Sequence, residues 1–364
     1  VLRDGAIAVS DRTIVDIGPA AELKARWMPA RALDGRERIV MPGLVNVHNH
    51  TPLMITRGMI EDIGFAPMYT PGIPQGHWLS EDDAYALSRL GMYELLRAGC
   101  TTVVDYYRYP QACARAAAEL GLRAVIAGRV HDADPAAPAQ SLQFRRVRYD
   151  IEAVQARSGL TPPQLLDRLG LLNDRLVAAH CIHMDRADIE LCGKAGITVA
   201  HAPIGNAKGG RIAPIVELRE AGARIALCTD TFSGDLIEAM RWAISMQRIH
   251  RQGNVLDART VLDWATREGA QAIGLGDVVG SLEVGKRADL VLLDASAPSL
   301  APMVDGYGVL VHSASGHDVD TVVIDGRVVL QGGRPTLADG SAIARDAQSV
   351  ARRQWNRAGR DVIG

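Results

Sequence analysis

The sequence predicts an α/β chain: a barrel of alternating strands and helices set into a smaller β-unit made from both ends. Three observations carry this. Near-continuous apolar runs recur through the middle and alternate with amphipathic helical segments, the pattern of parallel strands covered on both faces. Short alternating segments punctuated by glycine fill the first 42 residues, and similar segments return after residue 284. A length of 364 residues fits a barrel plus a smaller unit better than one small domain. The expected division is 1–42 and 285–340 for the two halves of the β-unit, 43–284 for the barrel, and 341–364 for a C-terminal helix.

In chain order, 6–9 and 13–17 alternate as hairpin strands do. The run 41–50 is an apolar strand that ends in His48 and His50. Residues 81–98 and 111–120 carry helical periodicity, and the apolar runs 100–105 and 122–128 follow them as strands. Further strands are expected at 176–180, 197–201 and 224–230, and helices at 234–251 and 258–273. The runs 288–294 and 321–329 lead back into the β-unit. The barrel strands number six, with 141–147 as a weaker seventh, whereas a closed (β/α)8 TIM-type barrel needs eight. One βα unit is therefore lacking, and the gap falls between Gly128 and Arg148. A barrel open at that point exposes strand edges and an unfilled core, so residues lying outside this sequence are a better expectation than a true loss.

Charge is nearly balanced, 40 basic against 42 acidic residues, which disfavours nucleic acid and anionic membrane surfaces as partners and favours a small molecule. Cys100, Cys113, Cys181, Cys192 and Cys228 are scattered and include no Cys-x-x-Cys pair, against a disulfide framework or a zinc knuckle. No apolar run approaches the roughly 20 residues of a membrane span, and no basic-then-apolar leader is visible. A reducing, cytoplasmic setting is expected. The methionine-bearing helix around Met240 and Met246 makes a homodimer a further expectation.

Successive side chains of a strand point to opposite faces, so His48 and His50 project together and can share one cation. Three more strand ends carry ligand-type residues: His180, His201 and Asp230. Two imidazoles and an aspartate can bind a divalent ion and leave a position for water, whose pKa the ion lowers towards neutrality. Asp230 beside such a water could also accept its proton; as a lone residue, with Ser233 and Asp235 following, it reads equally as a helix cap. His180 either polarises the substrate atom under attack or ligates the ion. His201 either faces substrate or fixes a loop, and His131 either faces the pocket or is structural. Arg57, Gln75 and His77, on the proline- and glycine-rich stretch 51–78, are polar candidates for the pocket wall, as is Asn206. No lysine lies between Lys24 and Lys194, so a bridging carbamylated lysine has no candidate on the early strands, and one ion is expected rather than two.

These residues resemble the amidohydrolase superfamily, in its mononuclear branch of cytosine, guanine and adenosine-derivative deaminases and triazine chlorohydrolases. Pro42-Gly43-Leu44-Val45-Asn46-Val47-His48-Asn49-His50 is similar to its first-strand signature, and Ala179-His180-Cys181 to its sixth-strand histidine. His201-Ala202-Pro203-Ile204-Gly205-Asn206 looks like its seventh-strand segment, Cys228-Thr229-Asp230 its eighth-strand aspartate, and 280–291 its return into the β-unit. The resemblance spans nearly the whole chain. It implies an eight-stranded barrel, a composite β-sandwich, and zinc or iron, with zinc expected ahead. It also implies a fifth-strand His-x-x-Glu, which this sequence lacks: Gln143 and Arg146 stand there, or Ala139-Gln140-Ser141 in another alignment.

The expected activity is metal-dependent hydrolysis at a ring carbon of an N-heterocycle, releasing ammonia, an amine or chloride. His48, His50 and Asp230 hold the ion, Asp230 doubles as base, and His180 stabilises developing charge or joins the ligands. Two alternatives stay open: a degenerate barrel that binds without catalysis, and a hydrolase of amides or cyclic imides.

Overall fold

The structure is a computed structural model that describes residues 2–59, 73–74, 78–128, 148–231 and 233–360. The N-terminal alternation forms a hairpin of β1 (Gly5–Ser10) and β2 (Thr13–Pro19), followed by the short helix α1 (Ala20–Arg26). From there β3 (Arg38–Pro42) leaves the hairpin and pairs antiparallel with a strand about 250 residues later. Ile14 of the hairpin is buried against Leu290, Leu292 and Val323 of that sheet, with Ile7 and Ile17 half-buried beside it.

The run that follows is β4 (Leu44–Asn49), every residue of which is buried, as a strand covered on both faces requires. It enters beside its neighbour with no room for a side chain: a Cβ on Gly43 would stand 2.0 Å from Thr101 Oγ1. A 3-10 turn (Thr51–Thr56) leads out of β4. Helix α2 (Glu81–Arg97) is started by a capping box between Ser80 and Asp83, and it buries Ala84, Leu87, Met92 and Leu95 at helical spacing. Strand β5 (Cys100–Tyr107), helix α3 (Pro110–Leu120) and strand β6 (Arg123–Gly128) follow, making β4-β5-β6 a parallel sheet.

After helices α4 (Arg148–Ser158) and α5 (Pro162–Arg168) come β7 (Val177–Ala179), α6 (Arg186–Ala195), β8 (Thr198–His201), α7 (Pro203–Lys208), α8 (Ile215–Glu220) and β9 (Arg224–Leu227). β7-β8-β9 is a second parallel sheet. The two sheets meet where β4 and the end of β9 join: the Asp230 N–H donates to the His48 carbonyl at 3.1 Å, and the His50 N–H to the Asp230 carbonyl at 3.4 Å. The strand order is thus β6-β5-β4-β9-β8-β7, six barrel strands among the described residues. The expected weak strand at 141–147 lies outside them.

Helix α9 (Leu236–Arg251) is capped by Asp235. The single helix expected at 258–273 is in fact two, α10 (Ala258–Trp264) and α11 (Arg267–Ala272). Thr266 breaks it: its hydroxyl donates back to the Leu262 carbonyl at 2.6 Å and its φ, ψ of -131°, -90° leave the helical region. The break turns α11 onto β4, where Gly269 lets it approach the Val45 carbonyl closely. The strand expected at 224–230 ends at Leu227, which puts Asp230 in the turn beyond it.

The chain then returns to the second sheet through β10 (Leu290–Asp294), helix α12 (Gly306–His312), β11 (Val319–Ile324), β12 (Arg327–Gln331) and β13 (Arg334–Pro335), in the order β13-β12-β11-β10-β3. The Arg123 guanidinium on β6 joins barrel to sheet, pairing with the buried carboxylate of Asp289 and with Asp325. Last comes α13 (Gly340–Arg357), which lies against α2: Gln354 donates to Asp83, and the Trp355 indole donates to the Ile55 carbonyl at 2.7 Å. No described helix is long and apolar enough to cross a membrane.

Candidate metal centre

The β4–β9 junction gathers four ligand-type side chains. His48, His50, His180 and Asp230 are each no more than 6% exposed. Asp230 Oδ1 lies 3.8 Å from His48 Nε2 and 3.6 Å from His50 Nε2, and its Oδ2 lies 3.7 Å from His180 Nε2. Ligands about 2.0–2.1 Å from a tetrahedral zinc ion stand about 3.4 Å apart, close to the three separations from Asp230. The atoms offered by His48, His180 and Asp230 all fall within 4.8 Å of one another; His50 reaches Asp230 but is not part of that group.

The tautomers fit the same purpose. His50 Nδ1–H donates to the Tyr106 carbonyl at 2.9 Å, which turns Nε2 towards Asp230. His180 Nδ1–H donates to Asn206 Oδ1 at 3.1 Å with the same consequence. The backbone is strained here: His180 and Asp230 have φ of 70° and 59°, and Cys181 has 46°. Such conformations cost about 1–3 kcal/mol for a residue with a Cβ and gather at functional sites. The chemistry of the donor set, imidazoles around a buried carboxylate, suits a divalent ion of the zinc or iron class.

The remaining expected residues divide. The carbonyl oxygen of Asn206, an expected substrate contact, orients His180, and its Nδ2 has no hydrogen-bond partner among the described residues. His201 is 1% exposed, and neither of its ring nitrogens has a hydrogen-bond partner among the described residues. Burial pushes its pKa down to about 3, so it is neutral at physiological pH. Arg57 stands outside the cluster, in an ion pair with Glu94 of α2 at 2.5 Å. Gln75, His77 and His131 lie outside the described residues.

Other contributors escaped the sequence reading. The Tyr106 ring packs edge-on against His50 and His48, centroids 4.3 and 5.0 Å away. Asp105, fully buried, accepts from the Thr51 N–H at 2.9 Å and the Thr51 hydroxyl at 2.5 Å, which fixes the chain just past His50. Its signal was a carboxylate closing an apolar strand, a position that rarely goes unpaired. Asn46 and Thr229, beneath the ligands, were legible as neighbours of His48 and Asp230 but carried no sign of being partners.

The Amidohydrolase family model matches residues 39–157 and 146–329, and a bacterial imidazolonepropionase-like composite domain matches 5–27. A 5-methylthioadenosine/S-adenosylhomocysteine deaminase of Desulforudis audaxviator is 33% identical over 407 aligned positions, covering 96% of this chain and 94% of that protein. The zinc-bound crystal structure of an adenosine deaminase from Xanthomonas campestris superposes with a TM-score of 0.88 at 28% identity, over 98% of this chain and 94% of that one. The zinc complex of an atrazine chlorohydrolase from Arthrobacter aurescens shares the fold, with a TM-score of 0.85 at 23% identity over 96% of each chain.

Proposed function

The chain belongs to the amidohydrolase family, and on that premise we propose that it is a metal-dependent deaminase of an N-heterocycle, with the aminopurine ring of an adenosine derivative as the substrate class. It is a hydrolase of carbon–nitrogen bonds other than peptide bonds. The observation that carries the reading is the carboxylate of Asp230, divided between the β4 imidazoles on Oδ1 and His180 on Oδ2. Residues 43–284 form the catalytic barrel in this reading, and 1–42 with 285–340 form a composite β-sandwich beside it.

His48, His50, His180 and Asp230 would hold a single ion, zinc rather than iron. A bound ion of this kind supplies Lewis acidity and lowers the pKa of water towards neutrality. Asp230 has one oxygen towards the β4 pair, which leaves Oδ2 to accept the proton of the attacking water and pass it to the leaving nitrogen. His180, its Nδ1 held by Asn206, has only Nε2 to offer: on the ion it is a further ligand, and off the ion it stabilises charge developing on the heterocycle. The neutral His201 and the Nδ2 of Asn206 are the remaining polar contacts offered to substrate.

The test is ammonia release from 5′-methylthioadenosine and related adenosine derivatives, with metal content measured on the same sample. Turnover that chelation abolishes and zinc restores is the expected result. A new carboxylate in place of ammonia would move the reading to amide or cyclic imide hydrolysis. Metal bound without turnover of any heterocycle would favour a barrel that binds without catalysis, the outcome that the absent His-x-x-Glu pair motivates.

A further inference from the structure

Beneath the ligands lies a buried knot of three polar side chains. Asn46, on the same face of β4 as His48 and two residues before it, is fully buried. Its Oδ1 accepts from two backbone N–H groups, those of His48 and Thr229, each at 3.3 Å. Its Nδ2 donates to the Thr229 hydroxyl at 2.7 Å, and Asn49 Nδ2 donates to that same hydroxyl at 2.8 Å. Asn49 and Thr229 are also buried, at 6% and 1% exposure. One amide oxygen therefore holds the N–H of His48 and the N–H of Thr229, the residue before Asp230. One hydroxyl oxygen holds the side chains flanking His48 on either side, the second of which immediately precedes His50.

The strands do not need this knot in order to pair, because Asp230 N–H to His48 C=O and His50 N–H to Asp230 C=O already close the junction through the backbone. What the knot adds is distance. It ties strand to turn through side chains as well as backbone, where a metal site tolerates about 0.2 Å in its ligand distances. We propose that Asn46, Asn49 and Thr229 are positioning residues that preset the spacing of His48, His50 and Asp230 for the ion. This rests on the metal-centre reading above. The three residues touch neither ion nor substrate and act only through the ligands they hold.

The test uses cobalt(II) as the probe, with affinity measured by chelator competition and geometry by visible absorption. Thr229→Val keeps the shape and removes the acceptor; Thr229→Ser keeps the acceptor. Thr229→Val is expected to bind cobalt about 10–100-fold more weakly and with an altered ligand-field spectrum, while Thr229→Ser stays within about threefold of the wild type. Asn49→Ala, which leaves the Asn46–Thr229 bonds in place, is expected to show a smaller loss in the same direction. Wild-type cobalt affinity and spectrum in Thr229→Val would overturn the inference. If that variant does not fold, the same result in Asn49→Ala would overturn it. A wild-type chain that binds no cobalt would instead bring down the metal-centre reading itself.

Discussion

Replacing Asp230 by asparagine separates what its charge does from what its shape and backbone do. The N–H and C=O that join β9 to β4 are untouched, while the negative charge on which three imidazole nitrogens converge within 3.6–3.8 Å is removed. The effect should differ in sign between two states. In metal-free protein the carboxylate is a buried group, and burying a charge costs several kcal/mol. Metal-free Asp230→Asn is therefore expected to be at least as stable as the wild type. With zinc at about a thousand times its dissociation constant, binding adds about 4 kcal/mol to the wild type. A hundredfold weaker site would lose about 2.7 kcal/mol of that gain. Loss of a general base costs about 10²–10⁴ in rate, or about 3–5 kcal/mol on the barrier. Urea unfolding with and without zinc reads the first pair of effects, and ammonia release reads the third. A variant with the full zinc-dependent stabilisation and turnover within about threefold of wild type would refute the role of the charge.

Two further outcomes follow from the surroundings. Burial pushes the carboxyl of Asp105 up to about 6, so the folded state holds a proton that the unfolded state releases near pH 3.8. The stability this group contributes is full below about pH 4 and is lost as pH rises through 6, an upper limit of about 3 kcal/mol at about 1.4 kcal/mol per unit. The stability difference between wild type and Asp105→Asn should accordingly fall between pH 4 and pH 7 in urea titrations; a difference independent of pH would contradict the burial argument. Trp355→Phe removes the indole donor from the Ile55 carbonyl on the turn that follows His50. A loss of about 1–3 kcal/mol is expected from the urea midpoint, and an unchanged midpoint would mean that water or a neighbour satisfies that carbonyl.

What could be read from the sequence was whatever repeats along it. The two-residue period of His48 and His50 and the apolar runs of β5, β8 and β9 are local patterns, and they gave the α/β order and four ligand-type strand ends. The pairing of Asn46 with Thr229 spans 183 residues and leaves no mark on the local pattern, since an asparagine in a strand reads only as a weak strand former. The Tyr106 carbonyl that orients His50 was equally hidden, because any residue offers a carbonyl there. The break between α10 and α11 was missed because helical periodicity runs through Thr266, and only the back-bonded hydroxyl and the contact with β4 decide against a continuous helix.

The ends of the strand order among the described residues and the place where the ligand-type residues meet lie apart, and this bears on what the centre needs. The alignment with the Desulforudis deaminase runs over 407 positions, more than the 364 residues of this chain, so that relative carries internal residues with no counterpart here. The family model likewise matches in two pieces that overlap at 146–157, between β6 and β7. Those two strands are the outer members of the order β6-β5-β4-β9-β8-β7, whereas β4 and β9 sit at its middle, joined by backbone and by the Asn46–Thr229 bonds. His48, His50 and Asp230 thus take their positions from strands that pair on both sides. His180 follows β7, which has a hydrogen-bonded strand on one side only among the described residues, and Asn206 from α7 holds its ring instead. In the proposed centre, β4 and the turn after β9 therefore carry the ligands held from both sides. His180 is the ligand candidate that follows a strand paired on one side only among the described residues.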